Sequence, residues 1–169
     1  MHYLQKEYQR LVKYAQGLGI KVEFIVDNKA DCSAAWLSDG STIIIYNKET
    51  KGPLRLCLEL LHELSHHMTY VYSGRKGDLK TDNILSKEAE GKKLTKKQRK
   101  VIYDMEVYDS AFQKIIHKEI GSAIPIKRLE LEIEHDLWIY EVFYKTDKWP
   151  TEKERKLKFT ELRGKYAVG

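Results

Sequence analysis

The 169-residue sequence predicts an α+β fold, in which a small, mainly antiparallel three-stranded sheet packs on a central helix and further helices follow. Three observations predict it. Alternating and β-branched runs occupy residues 21–46, an apolar run at 54–69 carries the pattern H-E-x-x-H, and amphipathic helical stripes fill most of the remaining chain. With 42% hydrophobic residues, the chain can bury a core of ordinary size as one domain with a small extension.

The chain is predicted to open with a helix that leads into a strand. Residues 2–18 repeat apolar side chains at helical spacing, and Gly19 suits the position just after a helix. Residues 21–27 alternate between apolar and polar side chains, as a half-buried strand does. This alternation places Val22, Phe24 and Val26 on one face of the strand.

A β-hairpin is predicted over residues 33–46. An Asp-Gly pair at positions 39 and 40 separates two β-prone runs, which is a strong hairpin signal. The second run, Thr42–Tyr46, contains three consecutive isoleucines and is predicted to be largely buried. A loop then leads to Pro53, a residue that suits the first turn of the helix that follows.

The apolar helix predicted over residues 54–69 carries the candidate chemistry. Because four residues make slightly more than one helical turn, His62 and His66 project side by side from one face. Two imidazoles so placed can bind one divalent metal, most often Zn²⁺. Glu63 then lies beside the metal, where it can take a proton from a metal-bound water. The alternative is a polar surface stripe that spells the motif by chance.

The stretch from residue 70 to residue 95 is predicted to be a long, mobile loop with a short helix starting near Ser86. Beside an active site, such a loop would act as a lid or a substrate collar. The charge is also uneven: residues 74–100 hold ten basic and four acidic residues in a chain of net charge +5. This basic segment is interpreted as a solvated linker or as a docking surface for nucleic acid or an acidic partner.

Three helices are predicted after this segment. Capping boxes, in which a Ser or Thr is followed three residues later by Glu or Gln, mark helix starts at Thr95 and Thr151. The helix that starts at Thr95 is predicted to run to about residue 120, and the helix that starts at Thr151 to about residue 163. Between them, Pro125 begins a helix that ends near residue 145.

A catalytic zinc usually has three protein ligands, and H-E-x-x-H supplies two. Since no third His follows at the short spacing that some zinc peptidases use, the third ligand is expected to be a carboxylate on a later helix. Glu106 and Asp109 are three residues apart, so both can face one side of a helix. One would bind the metal, and the other would hydrogen-bond a ligand His. A ligand from residues 134–136, Glu-His-Asp, is a further alternative.

The order of strand, hairpin, H-E-x-x-H helix and a helix with E-x-x-D-x-x-F at residues 106–112 resembles the ImmA/IrrE family of metallopeptidase-like proteins of bacteria and their phages. In that family E-x-x-A-x-x-F-A follows H-E-x-x-H, and its first Glu is the third zinc ligand. The resemblance therefore implies His62, His66 and Glu106 as zinc ligands and Glu63 as the general base. Asp109 stands where the family usually has Ala, so it stays open as a ligand.

The resemblance covers roughly residues 1–120 and implies a minimal zincin-like metallopeptidase domain there, with the basic loop 74–95 inserted. Residues 121–169 are then a C-terminal helical extension packed on that domain. The implied function is zinc-dependent hydrolysis of a protein substrate, often a phage or bacterial regulatory protein. Two other classes are a regulatory module that binds a protein without cutting it, and a nucleic-acid-associated protein that docks through residues 74–100.

The sequence also predicts the compartment. The first residues lack the hydrophobic region of a signal peptide, and the longest apolar runs are far too short to cross a membrane. We therefore expect a cytoplasmic protein without membrane contact. Cys32 and Cys57 lack C-x-x-C spacing and are expected to be reduced residues of the core.

Overall fold

The computed structural model describes residues 2–27, 32, 34–37, 40–47, 50–74 and 77–167. Within these residues the chain forms six helices and three strands, which confirms the α+β class. In chain order the elements are α1 (His2–Gly17), β1 (Lys21–Ile25), β2 (Ala34–Trp36), β3 (Thr42–Tyr46), α2 (Pro53–Tyr72), α3 (Gly77–Ala89), α4 (Lys96–Glu119), α5 (Ile126–Thr146) and α6 (Glu152–Tyr166).

The three strands form one sheet in the order β1–β3–β2. β2 and β3 pair antiparallel, as the hairpin signal predicts, although positions 38 and 39 of the turn lie outside the described residues. β1 pairs with β3 in parallel, so the sheet is mixed and the prediction of a mainly antiparallel sheet is corrected. The reason is that side-chain alternation identifies a strand but carries no information on the direction of its partner.

The three strands differ in how much of their side-chain surface is buried. Ile43, Ile44 and Ile45 of the middle strand are all buried, which confirms the prediction for Thr42–Tyr46. On β1, Val22 packs against the main core, whereas Phe24 is 43% exposed and Val26, just beyond the strand, is 72% exposed, so this face is only partly covered. β1 packs on α1, whereas β2, the other edge strand of the described sheet, packs on the central helix α2.

Helix α2 crosses the centre of the molecule. It begins at Pro53 and packs against α1, the hairpin strands and α4, so that the H-E-x-x-H run is enclosed by other elements. The main core cluster draws on all of these elements, with fully buried members that include Leu11, Ile43, Ile45, Leu60, Leu61, Leu64, Ile116 and Leu129. The polar residues of this helix therefore face protein on most sides, which argues against a surface stripe.

The segment predicted as a mobile loop is instead mostly helical. α2 continues to Tyr72, and α3 occupies Gly77–Ala89. Thr81, Ile84, Leu85 and Glu88 recur at helical spacing on α3, and Thr81 and Ile84 are buried. The surrounding charges and the glycines near both ends obscured this stripe in the sequence.

The C-terminal helices follow the predicted boundaries closely. Both capping boxes are present, with the Thr95 and Thr151 hydroxyls accepting from the backbone N–H three residues on. Gly121, with φ of 57°, follows the end of α4. A second hydrophobic cluster joins α3, α4 and α5 through Ile84, Leu94, Ile102 and Phe143.

Two further observations bear on the predicted compartment and redox state. No helix among the described residues is both long enough and apolar enough to cross a membrane. Cys57 is buried, as predicted, but Cys32 is exposed and so is not a core residue. No disulfide joins the two.

Candidate metal centre

Two polar stripes face each other between α2 and α4. On α2, His62, His66 and Thr69 recur at helical spacing, and on α4 the matching stripe is Glu106, Asp109 and Gln113. Hydrogen-bonding contacts join the two stripes along their length. These contacts reduce the cost of burying the polar groups between two helices, although Asp109 Oδ2, which lies close to His66, has no hydrogen bond among the described residues.

The ligand atoms of His62, His66 and Glu106 converge. One nitrogen of each imidazole and one carboxylate oxygen all lie within 4.8 Å of one another. The two Nε2 atoms are 3.1 Å apart. Tetrahedral Zn²⁺ holds two ligand nitrogens roughly 3.3 Å apart, so the imidazole spacing suits that ion. Two nitrogens and one oxygen are also the donor set of the catalytic zinc sites that use two His and one Glu.

Each histidine has a polar side chain of α4 close to its Nδ1 atom. Asp109 Oδ2 lies 2.9 Å from His66 Nδ1, and the same carboxylate accepts a hydrogen bond from the Thr69 hydroxyl. Gln113 Nε2 lies 3.0 Å from His62 Nδ1. Turning the amide by 180°, which exchanges its N and O, puts Oε1 in this position to accept from the ring N–H. Bonds of this kind at Nδ1 orient a metal-binding imidazole and leave the Nε2 lone pair for the metal.

The surroundings of the Glu106 carboxyl shift its pKa in opposite directions. Burial raises its pKa above the ordinary value, and the charge of Asp109 adds to this, while His66, His62 and a hydrogen bond from Tyr140 act in the opposite direction. A divalent cation among these groups would favour the ionised carboxylate. The residues present therefore fit a metal ion by donor type, by spacing and by electrostatics.

Glu63 lies on the sheet side of α2 and is oriented by main chain. Its Oε2 atom accepts a hydrogen bond of 2.7 Å from the backbone N–H of Trp36 in β2. The carboxylate is buried, and the residue directly follows the candidate ligand His62. The arrangement gives Glu63 a fixed position next to the centre, as a general base requires.

Other histidines and acids that the sequence offers as ligands lie elsewhere. His67 is buried, and its pKa is lowered by burial against a smaller opposing effect of a backbone bond to Gly40. His117 contacts the Ile124 carbonyl at 2.8 Å. His135 contacts the Arg155 carbonyl at 3.1 Å, and Glu134 pairs with Lys165 and Tyr166. Residues 134–136 are therefore not part of the convergent group found among the described residues.

Three tyrosines that lie near the candidate ligands in the sequence make packing contacts. Tyr70 packs on Trp36, and both Tyr72 and Tyr108 pack on Phe112. The tyrosine that does reach the centre is Tyr140 of α5, which bonds Glu106. The pKa of Tyr140 is raised well above its ordinary value, first by the charge of Glu106 and then by burial, so its hydroxyl stays protonated as a donor.

Sequence reasoning missed Gln113, Thr69 and Tyr140 as parts of this centre. Gln113 and Thr69 have a signal in the sequence, because each lies seven residues from a candidate ligand, on the same helix face. No motif in the sequence connects Tyr140 with this centre. Its role follows from the packing of α5 on α4, which a single helix pattern does not predict.

The basic segment is divided between structural and exposed side chains. Arg99 is buried and bonds Asp147 and the carbonyls of Leu94 and Tyr144, so it stabilises the fold. Lys80, Lys87 and Lys97 are among the exposed cations of the segment. The exposed set is spread over two helices and their connection.

Comparisons of the chain with protein-family models, with curated proteins and with solved structures found no match. The resemblance to the ImmA/IrrE family therefore rests on the H-E-x-x-H and E-x-x-D-x-x-F residues themselves and stays a prediction.

Proposed function

We propose that this chain is a cytoplasmic zinc-dependent metallopeptidase that hydrolyses peptide bonds of a protein substrate. The observation that carries the proposal is the convergence of His62, His66 and Glu106, with all three ligand atoms within 4.8 Å of one another. Glu63 beside this group supports an enzyme in particular, because a metal site that only stabilises the fold has no use for a base.

A bound Zn²⁺ would supply Lewis acidity, polarising a peptide carbonyl and lowering the pKa of water toward about 7. The chain supplies the proton transfers. Glu63 takes a proton from the attacking water and delivers it to the leaving amine. The bond from Trp36 N–H holds Oε2, so Oε1 is the oxygen that accepts the proton. Tyr140 and Asp109 hold Glu106 and His66 in place.

The edge of the sheet next to Glu63 supports a peptide substrate. β2 lies at one edge of the described sheet and contacts α2. Because Leu37 N–H bonds the Thr42 carbonyl of β3, the main-chain groups of Ala34 and Trp36 point away from β3. The Trp36 N–H already donates to Glu63, so an added peptide would use the Ala34 N–H and the carbonyls of Ala34 and Trp36. An extended peptide can add to such an edge through main-chain hydrogen bonds, which brings its backbone alongside the base.

The proposal is tested by metal content and by hydrolysis in the same preparations. Elemental analysis is expected to give about one zinc per chain in the parent, as one set of three ligands requires, and none in His62→Ala. Glu63→Gln is expected to keep the zinc but to lose at least about a hundredfold in the cleavage rate of a mixed peptide library. Glu161→Gln, a matched change at an exposed position, serves as the control.

Absence of zinc after incubation with the ion would end the peptidase proposal and favour the regulatory module. Zinc binding with equal cleavage by parent and Glu63→Gln would also contradict it. In that case Glu63 would not be the base, and any cleavage would have to come from another source.

A further inference from the structure

A cavity of about 720 Å³ opens between the start of α2, α5 and α6. Part of its wall is apolar and is formed by Leu54, Leu58 and Phe159. Cavities of this size that combine apolar surface with a few converging polar groups are typical of ligand sites. None of the converging residues His62, His66 and Glu106 lines it, so it is an additional feature of the molecule.

The cavity lies close to the candidate metal centre. Leu58 precedes His62 by four residues, which puts it about 6 Å nearer the start of α2 and on nearly the same face. Arg55, seven residues before His62, shares that face. On α5, Glu132 lines the cavity, and Tyr140 lies eight residues later, about 12 Å along the axis. Two helices therefore lead from the cavity to the centre.

The charged side chains that line the cavity are mostly basic: Arg55, Arg128, Arg155 and Lys156 against Glu132 and Glu152. Three of the four cations already lie next to a carboxylate. The pairs are Arg128–Glu132 at 2.6 Å, Arg55–Glu59 at 2.7 Å and Lys156–Glu152 at 2.5 Å.

Arg155 differs from these three cations. Its Nε donates to the Pro150 carbonyl at 3.0 Å, and no carboxylate of a described residue forms an ion pair with it. A guanidinium held by a carbonyl keeps its full positive charge and further N–H groups for an anionic ligand. The cavity thus combines an apolar wall with Arg155, a cation that pairs with no carboxylate in the described part of the chain.

We infer that this cavity binds an acidic side chain of the substrate, with Arg155 as the residue that selects it. The inference rests on the proposed peptidase function. An extended peptide advances about 3.3 Å per residue, so the 6 Å between Leu58 and His62 corresponds to about two residues. The structure thus assigns a preference for Asp or Glu near the cleaved bond. The apolar wall accommodates the methylene groups of that side chain.

The test separates binding from hydrolysis. Binding to the Glu63→Gln chain, with and without zinc, is measured on a peptide library in which each position carries Asp, Glu, Asn, Gln or Lys. At one position the acids are expected to bind about tenfold more tightly than their amides. Arg155→Gln in the same background is expected to remove that difference, while Lys153→Gln, an exposed change on the same helix, keeps it.

Arg155→Gln keeps a side-chain N–H that can donate to the Pro150 carbonyl, so the fold is expected to survive, and thermal melting checks this. Arg155→Lys, which keeps the charge, is expected to retain a preference for acids. Equal binding of acids and amides would overturn the inference. So would an acid preference that Arg155→Gln leaves intact, or binding of single-stranded oligonucleotides in place of acidic peptides.

Cleavage by the parent chain on the same library tells the two proposals apart. Cleavage without a preference for acids would overturn the inference and leave the peptidase standing. An Arg155-dependent acid preference in binding, with no cleavage by the parent, would keep the cavity assignment and remove the peptidase.

Discussion

Asp109 of α4 lies with its Oδ2 atom 2.9 Å from His66 Nδ1 of α2. The carboxylate is inaccessible to solvent and also accepts a hydrogen bond from the Thr69 hydroxyl. A carboxylate in this position fixes the ring orientation and makes the distal nitrogen a better metal ligand. Asp109 therefore connects two helices and supports the metal centre, and the ligand group found among the described residues does not include it.

Asp109→Asn is predicted to weaken zinc binding about 10- to 100-fold without abolishing it, because the amide still contacts His66 but is a weaker acceptor. Competition with a chelator of known affinity measures the effect. Asp104→Asn, an exposed change on the same helix, is the control and is expected to bind zinc as the parent does. If Asp109→Asn lost zinc entirely while Glu106→Ala kept it, Asp109 would be the third ligand and Glu106 the supporting residue.

Thr69→Val is predicted to lower the free energy of unfolding of the metal-free chain by about 1.5–3 kcal/mol, because it removes a buried hydrogen bond to a charged group at nearly constant volume. Urea denaturation in the presence of a chelator measures this. Thr160→Val, at an exposed site, is expected to change stability by about 0.5 kcal/mol or less. Equal effects of the two substitutions would show that the bond to Asp109 contributes no stability.

Thr95→Ala is predicted to destabilise the chain by about 1 kcal/mol, because the hydroxyl caps the first turn of the helix that carries Glu106. Thr151→Ala, in the equivalent capping box of α6, is expected to cost a similar amount. Zinc affinity, measured under conditions where both variants are folded, is expected to match the parent. A lower affinity in Thr95→Ala alone would mean that the cap also sets the position of α4.

Cys57 is predicted to resist alkylation in the folded chain, whereas Cys32, which is exposed, reacts readily. Burial, with smaller contributions from the charge of Glu7, raises the pKa of the Cys57 thiol to about 12, so almost no reactive thiolate forms at pH 8. Mass spectrometry after iodoacetamide treatment, with and without urea, distinguishes the two thiols. Equal modification of both in the absence of urea would contradict the burial of Cys57.

The same pKa shift has a consequence for stability. In the unfolded chain Cys57 ionises near its ordinary pKa of 9.0, well below the value of about 12 in the folded chain. The unfolded state therefore loses its proton first, and the stability contribution present below pH 9 declines as the pH rises toward 12. The melting temperature of the parent is expected to fall between pH 9 and pH 12. In Cys57→Ser the fall, measured from the melting temperature of that variant at pH 8, is expected to be smaller.

Local sequence patterns predicted much of this fold because the patterns and the structure depend on the same short-range geometry. Helix starts at Thr95 and Thr151 follow from hydrogen bonds between residues three apart, and His62 and His66 share a face because of the helical repeat. The direction of β1 depends on its pairing with β3, and the alternation of side chains contains no record of it. The helical stripe of α3 is present in the sequence, but the charges and glycines around it obscure the pattern.

The candidate site shows the same division. Glu106 and Asp109 were predicted to share one helix face, and they do, but their different contacts depend on how α4 packs on α2. The Trp36 bond to Glu63 could not be predicted at all, because it uses a backbone N–H, a group that every residue except proline has.

That bond also bears on how the chain tolerates mutation. The donor that orients Glu63 is main chain, so among the natural amino acids only proline at position 36 deletes it directly. Most single-nucleotide changes in the Trp36 codon therefore leave the bond that orients Glu63 in place. The two imidazoles, by contrast, are oriented by the side chains of Asp109 and Gln113, which one such change can remove. Drift in this lineage would therefore be expected to remove metal affinity before it disturbs the orientation of the base.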